Sequence, residues 1–305
     1  MDALNHDSPA QIRSVLERRG IGLKKRWGQN FLVNRGARER LVSLLDPRPG
    51  GLAWEIGPGL GAMTGMLLAR GARVVAFEID HGIARFLLEE ELAGVGGFTL
   101  VEGDFLRTWR GAVAEHGRPD VVLGNLPYRS ASLIIAEMVT GGVRPPRSVF
   151  TVQRELAERL LAGAGTKNYS SFTVLCASCF RIAGRGDLQP GSFWPAPYVV
   201  SSMVELVPRE EAPSGAELDM LSRVARALFA SRRKTIRNNA VAAFGPAVLG
   251  VLERLGIDAS GRAEELDVRA FVGIARFLAA SGTTGGPGRN GPGRDGPGPT
   301  AGEGP

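Results

Sequence analysis

Between residues 52 and 163 the chain alternates short apolar runs with amphipathic stretches, and this alternation narrows the possible folds more than any other feature. "LAWEIG" (52–57), "RVVAFEID" (73–80), "FTLVEGD" (98–104), "DVVLGNLPY" (120–128) and "SVFTVQ" (148–153) have the length and the β-branched or aromatic content of buried strands. Between and after them, "GAMTGMLLARG" (61–71), "GIARFLLEEEL" (82–92), "ASLIIAEMV" (131–139) and "RELAERLLAG" (154–163) read as helices. A strand followed by a helix and another strand closes as a right-handed crossover. Repeated, it builds a parallel sheet covered by helices on both faces. Such an α/β sheet presents its chemistry on the loops at the carboxyl ends of its strands.

The flanks of this region differ in texture. Residues 1–20 form an N-terminal extension whose helix, "PAQIRSVLERRG" (9–20), stops at Gly20. The α/β unit spans 21–209. It starts with a basic cluster, "KKRWGQNFL" (24–32), and a helix over about 35–45 that the turn "DPRPGG" ends. Beyond about residue 210 strand signals cease, and 216–280 are helical and rich in arginine, so 210–280 is expected to be a small helical domain. From Ser281 to Pro305 glycine, proline and polar residues dominate, with the rough pentads "GPGRN", "GPGRD" and "GPGPT". Collagen requires glycine at every third position. This segment lacks that, and it cannot bury enough apolar surface to order itself, so it is expected to be a disordered tail.

A formal net charge of +6 favours a polyanionic partner. No apolar stretch of 18 residues and no early signal-type run occur, so a membrane span is not expected. With two cysteines and no export signal, the expected compartment is the reducing cytoplasm. Those cysteines form "CASC" (176–179) inside an apolar segment, and the three histidines (His6, His81, His116) are scattered. The cysteines are therefore expected to pack, no metal site is expected, and a hydrolytic triad has no support.

In "EIGPGLG" (55–61) the glycines Gly57, Gly59 and Gly61 let backbone approach a ligand closely. Their spacing is neither the dinucleotide fingerprint nor a P-loop. The next strand ends at Glu78, an acid placed to accept both hydroxyls of a ribose. The third ends at Asp104, able to accept from an adenine amino group, and the fourth at Asn125. All four points fall at the carboxyl ends of consecutive strands, and together they outweigh the reading of each acid as a solvated turn residue.

The ordered set "GQNFL", "EIGPGLG", "FEID", "EGD" and "GNLPY", followed by "FWPAPYVVS" (193–201) and "LFASRRKTIRNN" (228–239), resembles the adenine N6,N6-dimethyltransferases of ribosomal RNA. The resemblance covers about residues 9–275. The last two segments fit the housekeeping bacterial branch, which modifies two adjacent adenosines near the 3′ end of small-subunit (16S) rRNA. It implies a Rossmann-like class I S-adenosylmethionine methyltransferase sheet with a small C-terminal helical domain, acting as a monomer on 16S rRNA in the small subunit or its precursor. By resemblance, Gln29, Asn30 and Leu32 touch the cofactor near its methionine end. Gly57 and Gly59 line the methionine moiety, Glu78 holds the ribose, Asp104 holds the adenine, and Asn125 lies beside the transferable methyl. One residue departs from the family. After the tyrosine of "NLPY" an asparagine is common, and here Arg129 stands.

The exocyclic nitrogen of adenine is a poor nucleophile because its lone pair is delocalised into the ring. Two acceptors on its hydrogens can bend it towards tetrahedral geometry: the Asn125 side-chain oxygen and a backbone carbonyl at Leu126 or Pro127. Pro127 stiffens the loop and adds no competing donor. Tyr128 offers a ring on which the base stacks, and Phe193 one to cover its other face. No general base is needed, because the methylated product sheds its own proton. The target adenine must be flipped or unpaired to reach such a loop. Two basic clusters are candidates for the RNA backbone: Arg18, Arg19, Lys24, Lys25 and Arg26, then Arg232, Arg233, Lys234 and Arg237. The rival readings are the antibiotic-resistance branch, which methylates large-subunit rRNA, and a non-catalytic ribosome-assembly factor that keeps the fold as an RNA platform.

Overall fold

Residues 4–24 and 28–281 are described by a computed structural model. Lys25, Arg26 and the expected tail beyond Ser281 lie outside them. The chain opens with α1 (Pro9–Arg18), a two-residue strand β1 (Phe31–Leu32) and α2 (Arg35–Leu45). There follow β2 (Leu52–Ile56), α3 (Ala62–Ala69), β3 (Arg73–Glu78) and α4 (His81–Phe86), which continues as a turn of π-helix over Leu87–Glu91. Then come β4 (Phe98–Glu102), α5 (Phe105–His116), β5 (Val121–Asn125), α6 (Ala131–Thr140), β6 (Arg147–Gln153) and α7 (Arg154–Leu161). The remainder is α8 (Ser171–Cys179), β7 (Phe180–Leu188), β8 (Phe193–Trp194), β9 (Ser201–Pro208), and the helices α9 (Gly215–Leu228), α10 (Ile236–Phe244), α11 (Val248–Arg254) and α12 (Val268–Ala280).

The main sheet runs β4-β3-β2-β5-β6-β9-β7. Its first five strands are parallel, and β9 joins antiparallel between β6 and β7. From β2 the chain winds outward through β3 to β4. It then returns to place β5 on the other side of β2. The carboxyl ends of β2 and β5 therefore flank the point where winding reverses, the crevice in which open α/β sheets bind ligands. The apolar continuity of the strands is explained by their burial, since all five residues of β2 and five of six in β3 are buried. Trp54, Phe77 and Phe105 meet edge to face at 5.0–6.3 Å on one side of the sheet. On the other side Leu41, Val42 and Leu45 of α2 pack with Leu67 of α3.

The strands expected between 52 and 153 are present, with ends that differ from expectation by one to three residues. The antiparallel pair β7 and β9, helix α8 and the small β1–β8 ribbon are additions the periodicity did not reveal. Cys176 and Cys179 lie on α8, both buried, and burial pushes both thiols up. They are core residues. The C-terminal helices share one apolar cluster with the sheet and the helix α8: Leu221, Val224 and Phe271 belong to the same cluster as Phe150 of β6 and Val174 of α8.

Candidate active site

Helix caps at the strand ends explain how the acids come to surround one space. Asp80 accepts from the backbone N–H groups of Gly82 (2.8 Å) and Ile83 (3.3 Å), starting α4. Asp104 accepts from Leu106 N–H at 3.0 Å, starting α5. Each satisfies an orphan donor of its helix. Turn chemistry and site chemistry thus coincide in these residues. The glycine loop between β2 and α3 runs with positive φ at Gly57 (74°), Gly59 (56°) and Gly61 (92°). At Gly59 a β-carbon would also stand 3.1 Å from the Phe31 ring, so only glycine fits without a shift.

These elements enclose a cavity of about 290 Å³. Every residue expected to touch the cofactor lines it: Gln29, Asn30, Leu32, Gly57, Gly59, Glu78, Asp104 and Asn125. So do Ile79 and Leu106, one and two positions beyond the strand-end acids Glu78 and Asp104, which supply apolar surface beside them. Sequence reading did not single out these two. Their adjacency to the acids was the available signal.

Glu78 is buried, and one carboxylate oxygen, Oε1, accepts from Asp80 N–H at 2.8 Å. Burial pushes its pKa up to about 7, with the Asp80 carboxylate adding to the rise and the N–H groups of Asp80, Ile79 and Gly59 opposing it. Asp80 behaves oppositely. Burial raises it, but the Gln29 amide, the Ile83 and Gly82 N–H groups and Lys24 outweigh that and hold it below its ordinary value. The Gln29 side chain is engaged at both ends, donating to Asp80 (3.1 Å) and accepting from Lys24 N–H (2.8 Å). It staples the "GQNFL" segment across the end of β3.

Asn125 closes the other side. Its Nδ2 donates to the Asn30 carbonyl at 2.7 Å. A carbonyl accepts only from the amide nitrogen, which assigns the flip and leaves Oδ1 an acceptor with no partner among the described residues. Asn30 is oriented in turn by its own bond to Gly28 O at 3.1 Å. The carbonyl of Pro127 is occupied, accepting from Ser130 N–H (3.0 Å) and Ala131 N–H (2.9 Å) to start α6. The Leu126 carbonyl accepts no backbone donor among the described residues. Of the two carbonyls considered from sequence, Leu126 is the one without a backbone donor among the described residues, though Pro127 and not Leu126 lines the cavity. The Leu126 side chain itself is core.

Of the two expected aromatics, neither lines the cavity. Tyr128 is partly buried and tethered, its hydroxyl 2.6 Å from Ser201 Oγ. Phe193 is 3% exposed, packed in the cluster of Leu32, Leu41 and Val42, and does not line the cavity. Its register partner across the β1–β8 ribbon is Leu32. Its ring supports the floor under the "QNFL" segment. Arg129 and Pro127 do line the cavity, and Arg129 is exposed at its edge.

In the first basic cluster, the three described cations are paired with acids. Arg18 pairs with Glu90 (3.1 Å), Arg19 with Glu89 (3.0 Å) and with Glu90, and Lys24 with Asp80 (3.4 Å). These cations hold α1 and the following segment onto the π-turn and the strand ends. In the second cluster, Arg232 donates to the carbonyls of Lys167 (3.1 Å) and Tyr169 (2.7 Å). Asn239 donates to the carbonyls of Leu228 (2.8 Å) and Ser231 (3.0 Å). Arg232 and Asn239 of "SRRKTIRNN" therefore help to build the turn between α9 and α10. Arg233, Lys234 and Arg237 are left exposed on it.

The cavity suits a nucleoside with a charged tail: a buried carboxylate for vicinal hydroxyls, a second acid beyond it, and a glycine cradle at a helix start. Comparison with known proteins agrees. Residues 21–280 match the model of the ribosomal RNA adenine dimethylase family. A ribosomal RNA small subunit methyltransferase A from Treponema denticola is 41% identical over 274 residues, 88% of this chain and 94% of that protein. One from Magnetococcus marinus is 36% identical over 267 residues, 87% and 95% of the two chains. Among solved structures, a dimethyladenosine transferase from Plasmodium falciparum superposes with a TM-score of 0.70 at 23% identity, covering 82% of this chain and 98% of that one. The 23S rRNA methyltransferase ErmE does so at 0.60 and 23%, covering 82% and 99%. These two likenesses establish the fold, a Rossmann-like methyltransferase sheet. With most of its length matched by both the family model and relatives above 30% identity, this chain belongs to the ribosomal RNA adenine dimethylase family.

Proposed function

We propose that the chain transfers methyl groups from S-adenosylmethionine to N6 of two adjacent adenosines near the 3′ end of 16S rRNA, acting as a monomer on the small ribosomal subunit or its precursor in the cytoplasm. The orientation of Asn125 carries this reading. Its Nδ2 is committed to Asn30 O, so Oδ1 is presented as an acceptor at the end of β5, beside the cavity lined by Glu78 and Asp104. The bound cofactor would supply an electrophilic methyl. The residues that fit it are Glu78 for the ribose, Asp104 for the adenine amino group, and Gly57 and Gly59 beneath the methionine moiety, with Gln29, Asn30 and Leu32 closing that end.

The protein's own part is to shape the nucleophile. Asn125 Oδ1 and Leu126 O accept the two N6 hydrogens and turn the lone pair out of conjugation. Tyr128, its hydroxyl held by Ser201, keeps a ring beside the loop on which the flipped base stacks. A neutral amide suffices, since the alkylated nitrogen is acidic enough to lose its proton without a base. Placing the amine in line with the methyl supplies most of the remaining rate, up to about 7–11 kcal/mol for full positioning. Arg233, Lys234 and Arg237 on the helical part are free to meet phosphates, and shape more than sequence is what such a surface reads.

The relatives' shared name, ribosomal RNA small subunit methyltransferase A, supports the small subunit as substrate. Labelled methyl transfer to 30S and 50S particles, followed by mass mapping of the modified nucleotides, tests it. Two dimethylated neighbours in the 30S RNA are expected. Transfer to 50S alone would favour the large-subunit reading, and no transfer to either would leave an RNA platform.

A further inference from the structure

We propose that Tyr198 is a substrate-binding residue that stacks on an unpaired nucleobase next to the adenosine being methylated. The proposal rests on the rRNA reading above. Tyr198 has a relative exposure of 104%, so nothing among the described residues covers its ring, and Val199 beside it is 42% exposed. Scattered exposed apolar side chains are ordinary. This one differs in where it stands and how firmly it is held.

The loop 195–200 is anchored at both ends to parts of the active site. At its start, Trp194 pairs in register with Phe31, the ring that closes over Gly59, and the two rings stack at 6.3 Å. Arg13 lies over the Trp194 ring at 5.6 Å. At its end, Val200 O accepts from Arg154 N–H at 3.0 Å, and Ser201 Oγ meets the Tyr128 hydroxyl at 2.6 Å. Tyr198 is three residues from that contact, within a reach of about 11 Å. Pro195 and Pro197 restrict the backbone between the anchors, and Pro197 is buried.

The result is a rigid pedestal holding a neutral aromatic ring in water within one or two nucleotide lengths of the catalytic loop. A tyrosine ring loses little rotamer freedom on binding, and its face accepts any base. A target adenosine turned into the cavity leaves a neighbour without a stacking partner, and an exposed aromatic is the chemistry that takes it. A protein partner at this point would instead use the ring and Val199 together as an apolar contact.

Single-turnover and steady-state methylation of 30S particles by the full chain tests this with Tyr198→Ala, Tyr198→Phe and Tyr198→Leu. Loss of one base stack is expected to raise KM for the particle about 5- to 150-fold in Tyr198→Ala. Tyr198→Phe should restore it, Tyr198→Leu should not, and cofactor affinity should hold throughout. Replacement by a photoreactive phenylalanine should crosslink to a nucleotide adjacent to the methylated pair. An active wild type matched in KM by Tyr198→Ala overturns this proposal alone. Rescue by leucine as good as by phenylalanine overturns it in favour of an apolar protein contact. A wild type that methylates no ribosomal particle overturns both this proposal and the reading beneath it.

Discussion

Lowering the pH from 8 to 6 should weaken S-adenosylmethionine binding about tenfold, with Glu78 responsible. Its carboxyl sits in a buried site that raises the pKa to about 7 in the free protein. Only the carboxylate accepts from both ribose hydroxyls; the protonated acid must give one oxygen to its own hydrogen. Binding is therefore confined mainly to the ionised fraction, and apparent affinity scales with that fraction. With a pKa near 7, about a tenth of the molecules are ionised at pH 6 and about nine-tenths at pH 8. The sign for folding is opposite. Because the folded pKa lies above the usual carboxyl value of 4.5, the free protein loses stability as pH rises from 4.5 through 7, while cofactor affinity increases near the upper end of that window.

Titration calorimetry at pH 6, 7 and 8 measures the slope. Repeating it at pH 7 in buffers of different ionisation enthalpy should detect release of about half a proton per cofactor bound. Glu78→Gln should bind more weakly at pH 8 and show a flatter profile. Glu55 has a similarly raised pKa but lies outside the cavity, so Glu55→Gln should keep the slope. A wild-type affinity that changes less than twofold between pH 6 and 8, or an undiminished slope in Glu78→Gln, would refute the assignment.

Four further outcomes are expected. Glu55 is fully buried, its pKa raised to about 7, with one oxygen bonded to Thr64 Oγ1 at 2.6 Å and the other unpartnered. Its ionisation costs stability between pH 4.5 and 7, so Glu55→Gln should gain up to about 3 kcal/mol relative to wild type on going from pH 4.5 to 8, read by denaturant unfolding. Replacing Arg233, Lys234 and Arg237 with alanine should flatten the salt dependence of RNA binding by about 0.7–0.9 for each phosphate no longer neutralised. Arg19→Ala should leave that slope alone and cost a modest amount of stability, as filter binding and melting curves will show. Asn125→Ala should lower single-turnover rate on the order of 100-fold with RNA affinity kept. Tyr128→Phe, which loses only the Ser201 bond, should retain most activity where Tyr128→Ala loses about 5- to 150-fold; equal loss in both folded variants would remove the stacking role.

What the sequence disclosed follows the range of the forces involved. The five parallel strands were legible because burial on both faces makes each an apolar run, and the acids at their ends because a parallel sheet presents strand ends together. Strand β7 was not, since its alternation is broken by a register shift between Gly184 and Asp187 and only its two end residues are buried. Charges were the least legible. Arg18, Arg19 and the exposed Arg233 look alike in one dimension, yet the first two face Glu89 and Glu90 some seventy positions away. Phe193 shows the same limit for aromatics. A short motif names the ring but not its direction, and direction here is set by the pairing of Phe193 with Leu32 across 161 positions. Tyr198, five residues on, has no such partner and points out. Neighbouring aromatics of one motif thus divide between core and surface because only one has a strand to pair with.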